Sequence, residues 1–464
     1  MGTIDPRRKR RELINMSDKR PNVVLLISHD TGRFYSPYGI KTFPSPHFDA
    51  LAEKAVTFDR AFCVSPLCSP ARSGIVTGRY PHQNGLMGLT GFCGEFDLAE
   101  KERHLARVFK ESGYRTAMSG FNHETGDIFS LGFDEGIHGV GYMNNWGEKL
   151  LVGAGADIEA WLGRNPGVGT DVPFFIEVCS GETHRDWREF GEPYGERGVW
   201  KAPYLIDDPA VDAEMAELQR SCMALDDGLG EIVGTLERMG LAGGTIFAVT
   251  TDHGIDFPRA KGTLLDPGVG VGLFMRHDDG GWVGGARSDM LVSHVDLYPT
   301  LLEACGIAPP EGTAGISFLG ALKDPAGAAP IRDAVFLEKT FHDNYDPMRA
   351  IRTDTHKYIL NAEAQSMYDV RIDSAERYHW LRYPLRKGRH EELYDLASDP
   401  EELNNLADDP AAAGVMHELK VRVAKWMAET GDPLLDGPVP SPYYLRTAGR
   451  MRELAQTGPA REGG

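Results

Sequence analysis

Val23-Val24-Leu25-Leu26-Ile27-Ser28-His29-Asp30-Thr31-Gly32 is apolar at each of its first five positions and polar from Ser28 onward. A continuous apolar run without alternation is the mark of a strand buried on both faces, as in a parallel sheet covered by helices. Polar residues just past the C-terminal end of such a strand sit where open α/β sheets place ligands. A turn in which Asp30 caps a helix is the plainer alternative. Further apolar or buried strands are expected at 173–179 and 245–250, with other strands at 56–62, 114–118 and 271–275. Between them lie helical stretches at 47–54, at 101–112 with Gly113 as a stop, at 209–239, and from Asp296 onward. The stretch 209–239 has Val211, Met215, Leu218, Cys222, Leu225, Leu229, Ile232, Leu236 and Met239 three or four apart, an apolar stripe that predicts packing on the sheet with Cys222 in the core. Strands alternating with helices specify an α/β fold.

A second stretch, Cys68-Ser69-Pro70-Ala71-Arg72-Ser73-Gly74-Ile75-Val76-Thr77-Gly78, reads as a loop entering a helix. Pro70 suits the first turn, where its missing N–H costs nothing. Cys68 then lies at a helix start, where backbone N–H groups and the dipole favour an anion. Arg72, one turn on, can face back toward it. A thiol in that setting is a reactive one; a buried core cysteine is the plainer alternative. Three other strand ends carry polar groups: Ser119-Gly120-Phe121-Asn122-His123, Ser180-Gly181-Glu182-Thr183-His184-Arg185 and Thr251-Asp252-His253-Gly254. Asp252 and His253 are weak candidates for metal ligands alone and strong ones when paired with Asp30.

These stretches, in this order, resemble the type I sulfatases of the alkaline phosphatase superfamily. Cys68, Pro70, Arg72, Thr77 and Gly78 match the family signature C-x-P-x-R followed by T-G. The resemblance implies a mixed, mostly parallel sheet flanked by helices, with a smaller C-terminal α+β subdomain built on an antiparallel sheet. It implies that Cys68 is converted to Cα-formylglycine by a formylglycine-generating enzyme, the aldehyde hydrate being the nucleophile. It implies one divalent metal ion held by Asp30, Asp252, His253 and the residue at 68, with Ca2+ the first expectation and Mn2+ or Mg2+ the alternatives. His123 would contact the hydrate, and His184 the sulfate or the leaving-group oxygen. Lys261, in Lys261-Gly262-Thr263, would contact both sulfate and residue 68, and Arg72 would add positive charge. Two positions depart from the pattern. His29 stands where the family has the first of two metal-binding Asp residues, which leaves its role as a ligand open. Phe121 stands where a sulfate-binding Lys is usual. The likeness spans residues 21 to about 410. It leans toward N-sulfoglucosamine sulfohydrolase (heparan N-sulfatase)-like members through Cys68-Ser69-Pro70, the His82-Gln83-Asn84-Gly85 loop and Tyr345-Asp346-Pro347-Met348-Arg349.

The implied activity is hydrolysis of a sulfate ester or sulfamate, the substrate being a sugar. Sulfuryl transfer, like phosphoryl transfer, asks mainly for positioning and charge stabilisation. A phosphonate or phosphate mono- or diesterase shares the fold, the signature and an Asp-His pair, and is the alternative activity. A non-catalytic sulfate-binding protein is the alternative from another class, suggested by His29 and Phe121.

Acidic residues outnumber basic ones, 68 to 49, for a formal charge of −19. That argues against nucleic acid as a partner and requires a locally positive site for an anionic, sulfated substrate. Six scattered cysteines without a Cys-x-x-Cys pair point to a reduced intracellular protein. Residues 1–20 are polar and basic with no apolar segment after them, as in a disordered tail or cloning scar rather than a secretory signal. No apolar run is long enough to span a membrane. A cytoplasmic protein is expected, with no nucleic-acid or membrane partner; a homo-oligomer is compatible with the sequence.

A chain of 464 residues accommodates one large α/β unit and a smaller one. Pro309-Pro310 and the Pro/Gly/Ala stretch 325–330 mark the change. The expected division is a tail over 1–20, a catalytic domain over 21–330 and a C-terminal subdomain over 331–464. Strands near 334–338, 348–352 and 358–360, the segment Glu392-Leu393-Tyr394-Asp395-Leu396 and a helix over 412–429 would build the last. Between them Arg371, Arg377, Arg382, Arg386, Lys387 and Arg389 mix with Tyr378, Trp380 and Tyr383. That mixture is a candidate clamp for a sulfated sugar, with an exposed loop or an oligomer contact as the plainer alternatives.

Overall fold

The computed structural model describes residues 20–91, 94–141, 151–342, 344–363 and 390–457. The basic tail before residue 20, Cys93 and the candidate clamp over 364–389 lie outside the described residues. The main sheet holds β1 (Asn22–Ser28), β2 (Val56–Phe62), β3 (Arg115–Phe121), β4 (Glu135–Gly141), β5 (Phe174–Cys179), β6 (Thr245–Thr251), β7 (Gly270–Val271), β8 (Leu273–Arg276) and β9 (Arg287–Ser293). Their order is β4-β3-β5-β1-β6-β8-β2-β7, with β9 beside β2. The pairs β4/β3, β3/β5, β5/β1 and β1/β6 are parallel. β8 runs antiparallel to both β6 and β2, so β2 regains the direction of β6. The C-terminal ends of β3, β5, β1, β6 and β2 therefore share one edge of the sheet.

The apolar run of β1 is buried along its whole length, as a central parallel strand requires. On one face Leu225, Leu229, Ile232 and Leu236 of the helix Pro209–Arg238 pack with Val24, Leu26 and Phe247. Asp208 caps that helix by accepting from the Ala210 N–H. Cys222 is in the core, as its place in the stripe predicts. The other face is covered by the helices Cys68–Thr77 and Leu297–Ala304, whose Ile75, Val76, Leu301 and Leu302 join Val23, Leu25 and Ile27.

A second, antiparallel sheet runs β10 (Ala334–Phe341), β11 (Tyr345–Thr353), β12 (His356–Asn361), β13 (Glu391–Asp395). The helix Ala413–Thr430 packs Leu419, Val423, Trp426 and Met427 on it, together with Val64 and Tyr80 from the main body. Hydrogen bonds tie its first strand to the segments beside the signature helix, among them Glu338 N–H to Val64 O at 2.8 Å, His82 N–H to Glu338 Oε1 at 2.8 Å, and Lys339 Nζ to Gly262 O at 3.0 Å. Arg349 of β11 is fully buried and paired with Asp432, Nη2 to Oδ1 at 2.9 Å. Breaking a buried pair leaves an uncompensated charge. Arg349→Ala is therefore expected to cost about 3–5 kcal/mol, read as a lower urea midpoint; an unchanged midpoint would show that the pair does not hold this sheet in place.

Candidate active site

The shared edge collects the polar strand ends. His123 follows β3, His184 follows β5, His29 and Asp30 follow β1, and Asp252 and His253 follow β6. Cys68 is the first residue of the helix after β2, and Leu67 occupies its N-cap. The candidate catalytic and metal-binding residues on these strand ends and at Cys68 thus reach one place. His29, Asp30, Cys68, Arg72, His123, Asp252 and His253 are all buried.

Asp252 is the hub. Its Oδ1 accepts from the backbone N–H of Asp30 at 2.9 Å and of His253 at 2.8 Å. Its Oδ2 accepts from Arg72 Nη2 at 3.1 Å and lies 3.3 Å from His29 Nδ1. Burial pushes this carboxyl up, but His253, His29 and Arg72 together outweigh it and hold the group well below the usual carboxylate range. Asp252 is ionised.

His253 Nδ1 lies 3.0 Å from Gly254 O. A carbonyl only accepts, so Nδ1 donates, and the neutral ring that a metal would require presents a lone pair at Nε2. That lone pair faces Asp30 Oδ1 at 3.2 Å and Cys68 Sγ at 3.4 Å. A lone pair against a carboxylate oxygen is repulsive unless a cation lies between them. Ligand atoms of His29, Asp30, Cys68, Asp252 and His253 lie within 4.8 Å of one another. The donor set fits a divalent ion. Asp30 reaches it from a left-handed backbone with φ 48°, a conformation Asp tolerates better than most residues.

Cations and histidines surround this knot. Lys261 Nζ donates to Asp30 Oδ2 at 2.6 Å and approaches Asp256 Oδ2 at 3.4 Å. Burial alone would lower its pKa, but Asp256 and then Asp30 raise it well above the ordinary value, so it stays charged. Arg72 keeps Nε and Nη1 without hydrogen-bond partners among the described residues. Neither ring nitrogen of His123 has one; burial, reinforced by Arg72, lowers its pKa to about 3 and leaves it neutral. The His184 ring stands edge-on to His29 at 4.7 Å, and burial followed by Lys261 lowers its pKa well below the ordinary value. Phe121 lies against His29 at 5.2 Å and His123 at 5.1 Å. Lys261 and Arg72 supply the positive charge that a chain of net −19 needs where it meets an anion.

The thiol of Cys68 differs from its sequence expectation. Burial raises its pKa well above the ordinary value, and Lys261 opposes this only in part. Arg72 directs Nη2 at Asp252 instead. Desolvation outweighs the helix start here, and the group is a neutral thiol. Sequence reasoning also missed the residues that brace the site. Thr31 and Thr183 both donate a hydroxyl to the His29 carbonyl. Lys339 holds Gly262 beside Lys261. His104 Nε2 meets Glu124 Oε2 at 3.0 Å in a buried cluster behind His123. Lys339, His104 and Glu124 carry no local signal, whereas Thr31 and Thr183 lie within the strand-end stretches, and Asp256, beside Lys261, lies four residues past Asp252.

A mixed, mostly parallel sheet carrying such a site defines a class, and the chain belongs to it: the family model described as Sulfatase matches residues 21–307. The protein is a sulfuric ester hydrolase. It is similar to human N-sulphoglucosamine sulphohydrolase, 28% identical over 92% of this chain and 94% of the relative. It is also similar to an ulvan-active sulfatase of Formosa agariphila, 26% identical over 89% and 76% of the two chains. Its fold is shared with a solved protein bound to its substrate D-glucosamine-2-N,6-O-disulfate, with TM-score 0.70, 17% identity, and coverage of 90% and 99%. The phosphonate monoester hydrolase of Agrobacterium radiobacter shares it too, with TM-score 0.66, 20% identity, and coverage of 89% and 96%. Among the described residues no helix is long and apolar enough to cross a membrane.

Proposed function

We propose that this chain hydrolyses a sulfate ester or sulfamate on a sugar, with formylglycine at position 68 and one divalent ion. The observation that carries the proposal is the buried knot of Cys68, Asp30, Asp252 and His253, flanked by Lys261 and Arg72. The sugar rests on the relatives: one is named for N-sulphoglucosamine, and a structural neighbour holds a disulfated glucosamine as its substrate.

Asp30, Asp252, His253 and residue 68 would hold the ion, which supplies positive charge and lowers the pKa of a bound hydroxyl. The family pattern points to Ca2+. Formylglycine as its hydrate offers two hydroxyls on one carbon, one to attack sulfur and one to release sulfate. Lys261 and Arg72 bind sulfuryl oxygens and stabilise charge as the S–O or S–N bond breaks. His123, neutral and unpartnered, hydrogen-bonds the hydroxyl at residue 68. His184 stands beside the departing oxygen or nitrogen, where a ring that gains a proton as negative charge builds up can pass it to the leaving group. A formylglycine-generating enzyme is the partner in maturation. A cytoplasmic setting is supported by five free, buried cysteines, Cys63, Cys68, Cys179, Cys222 and Cys305.

Lys261→Ala should lower kcat by at least ~10²-fold, the range for losing one charge-stabilising donor. A rise in KM alone would place Lys261 in ground-state binding. The test of the activity is side-by-side turnover of an aryl sulfate, N-sulfoglucosamine and a phosphonate monoester by protein converted at residue 68. Preference for the sulfates is expected. Preference for the phosphonate would overturn the proposal in favour of the esterase, and no turnover by converted, metal-loaded protein would leave a binding protein.

A further inference from the structure

Resting on the metal-dependent function above, we propose that His29 is itself a metal ligand through Nδ1. With His253 it makes the centre rich in nitrogen and selective for a borderline divalent ion such as Fe2+ or Zn2+, and by a smaller margin the harder Mn2+, over Ca2+. His29 Nδ1 lies 2.7 Å from Asp30 Oδ1 and 3.3 Å from Asp252 Oδ2, among the carboxylate oxygens that would hold the ion. The side chain is fully buried. The backbone from which it projects is fixed by the Thr31 and Thr183 hydroxyls on its carbonyl, and Phe121 and His184 confine the ring. Ca2+ takes oxygen ligands in large, flexible shells. Imidazole suits Fe2+ and Zn2+, with Mn2+ nearer to Ca2+ in its preference for oxygen. Two imidazoles beside two carboxylates shift the centre away from Ca2+.

Phe121 completes the exchange. Relative to the sulfatase pattern, His29 removes one carboxylate and Phe121 removes one ammonium. Both changes fall in one pocket, with the two rings 5.2 Å apart. The charge sum is unchanged: Asp30 and Asp252 are balanced by Lys261 and Arg72. A lysine at 121 would repel the ion with one carboxylate fewer to offset it. Ligation through Nδ1 also turns His29 Nε2 into an N–H donor. That atom is buried and has no protein partner among the described residues, and its ring lies beside His184 and His123. The same ring thus restores, for an oxygen of the transferred group, the donor that Phe121 lacks.

The test uses the full wild-type chain with residue 68 converted, so that no thiol competes for the metal, stripped with chelator and titrated calorimetrically with Mn2+ or Ca2+. Mn2+ is the weakest binder of its series, so a preference for it is a conservative criterion. Mn2+ is expected to bind at least ~10-fold tighter than Ca2+, and pulsed EPR of the Mn2+-loaded protein should show two coupled imidazole nitrogens. His29→Asp should shift the affinity ratio at least ~10-fold toward Ca2+ and remove one nitrogen coupling; His29→Asp/Phe121→Lys should keep that shift with the charge sum restored. Ca2+ binding as tightly as Mn2+, or a single coupled nitrogen, would overturn the proposal. Both are read on wild-type protein, whether or not a variant folds. Neither uses turnover, so an error in the assigned substrate would leave them untouched.

Discussion

Cys68→Ser protein is expected to fold, bind its divalent ion and stop after a single turnover, while converted wild-type protein turns over steadily. Residue 68 is the first residue of a buried helix, 3.4 Å from His253 Nε2. A serine hydroxyl fits the space of the thiol and can take the sulfuryl group. It has no second hydroxyl on the same carbon with which to expel sulfate. Unconverted protein is expected to be nearly inactive for a related reason. Its thiol is held neutral by burial and cannot act as a geminal diol. In the proposed maturation the motif Cys68-Ser69-Pro70-Ala71-Arg72 would be read on the unfolded chain, so burial in the final fold would not protect it. The measurements are the mass of the peptide containing residue 68, with and without co-expressed maturation enzyme, and a burst assay on Cys68→Ser. Steady multiple turnover by the serine variant would remove residue 68 from the role of nucleophile.

Asp252→Ala is expected to abolish metal binding and lower kcat by at least ~10³-fold. Asp252 does more than offer one ligand oxygen. It accepts from two backbone N–H groups that set the ends of β1 and β6, and it holds Arg72. The central sheet does not depend on it, so the fold survives. Arg72, however, loses its buried partner, and stability should fall by about 3–5 kcal/mol. Asp252→Asn separates the two effects, because it keeps an acceptor for the backbone donors and removes the charge. Metal content by elemental analysis and circular dichroism on both variants are the checks. Unchanged metal content in Asp252→Ala would place the ion elsewhere.

Much of this protein is legible in one dimension. Strands buried on both faces must be largely apolar without alternation, so β1, β5 and β6 stand out from the chain. A polar group at the end of such a strand has few structural reasons to be there, which marks Asp30, His184, Asp252 and His253. The 30-residue helix Pro209–Arg238 is legible for the complementary reason, a long stripe with a period near 3.6. Elements without such a contrast were not found. β4 is Glu135-Gly136-Ile137-His138-Gly139-Val140-Gly141, an edge strand with three glycines. β9 begins Arg287-Ser288-Asp289. The helix Pro442–Thr457 leaves Tyr443, Tyr444, Leu445 and Met451 exposed and has no buried stripe to betray it.

By itself the sequence determined the parallel core, the order of the motifs and the identity of the groups that meet at the sheet edge, because each is encoded within a few neighbouring residues. Tertiary structure alone decided how those groups act on one another. It set His29 Nδ1 3.3 Å from Asp252 Oδ2 across 223 positions of chain, turned Arg72 toward that carboxylate rather than the Cys68 thiol, and brought Lys339 from the second sheet to Gly262. Such contacts depend on strand order and on the loss of water. Desolvation in particular is a property of the assembled interior, and it is what makes the thiol of Cys68 neutral where its local sequence reads as a reactive one.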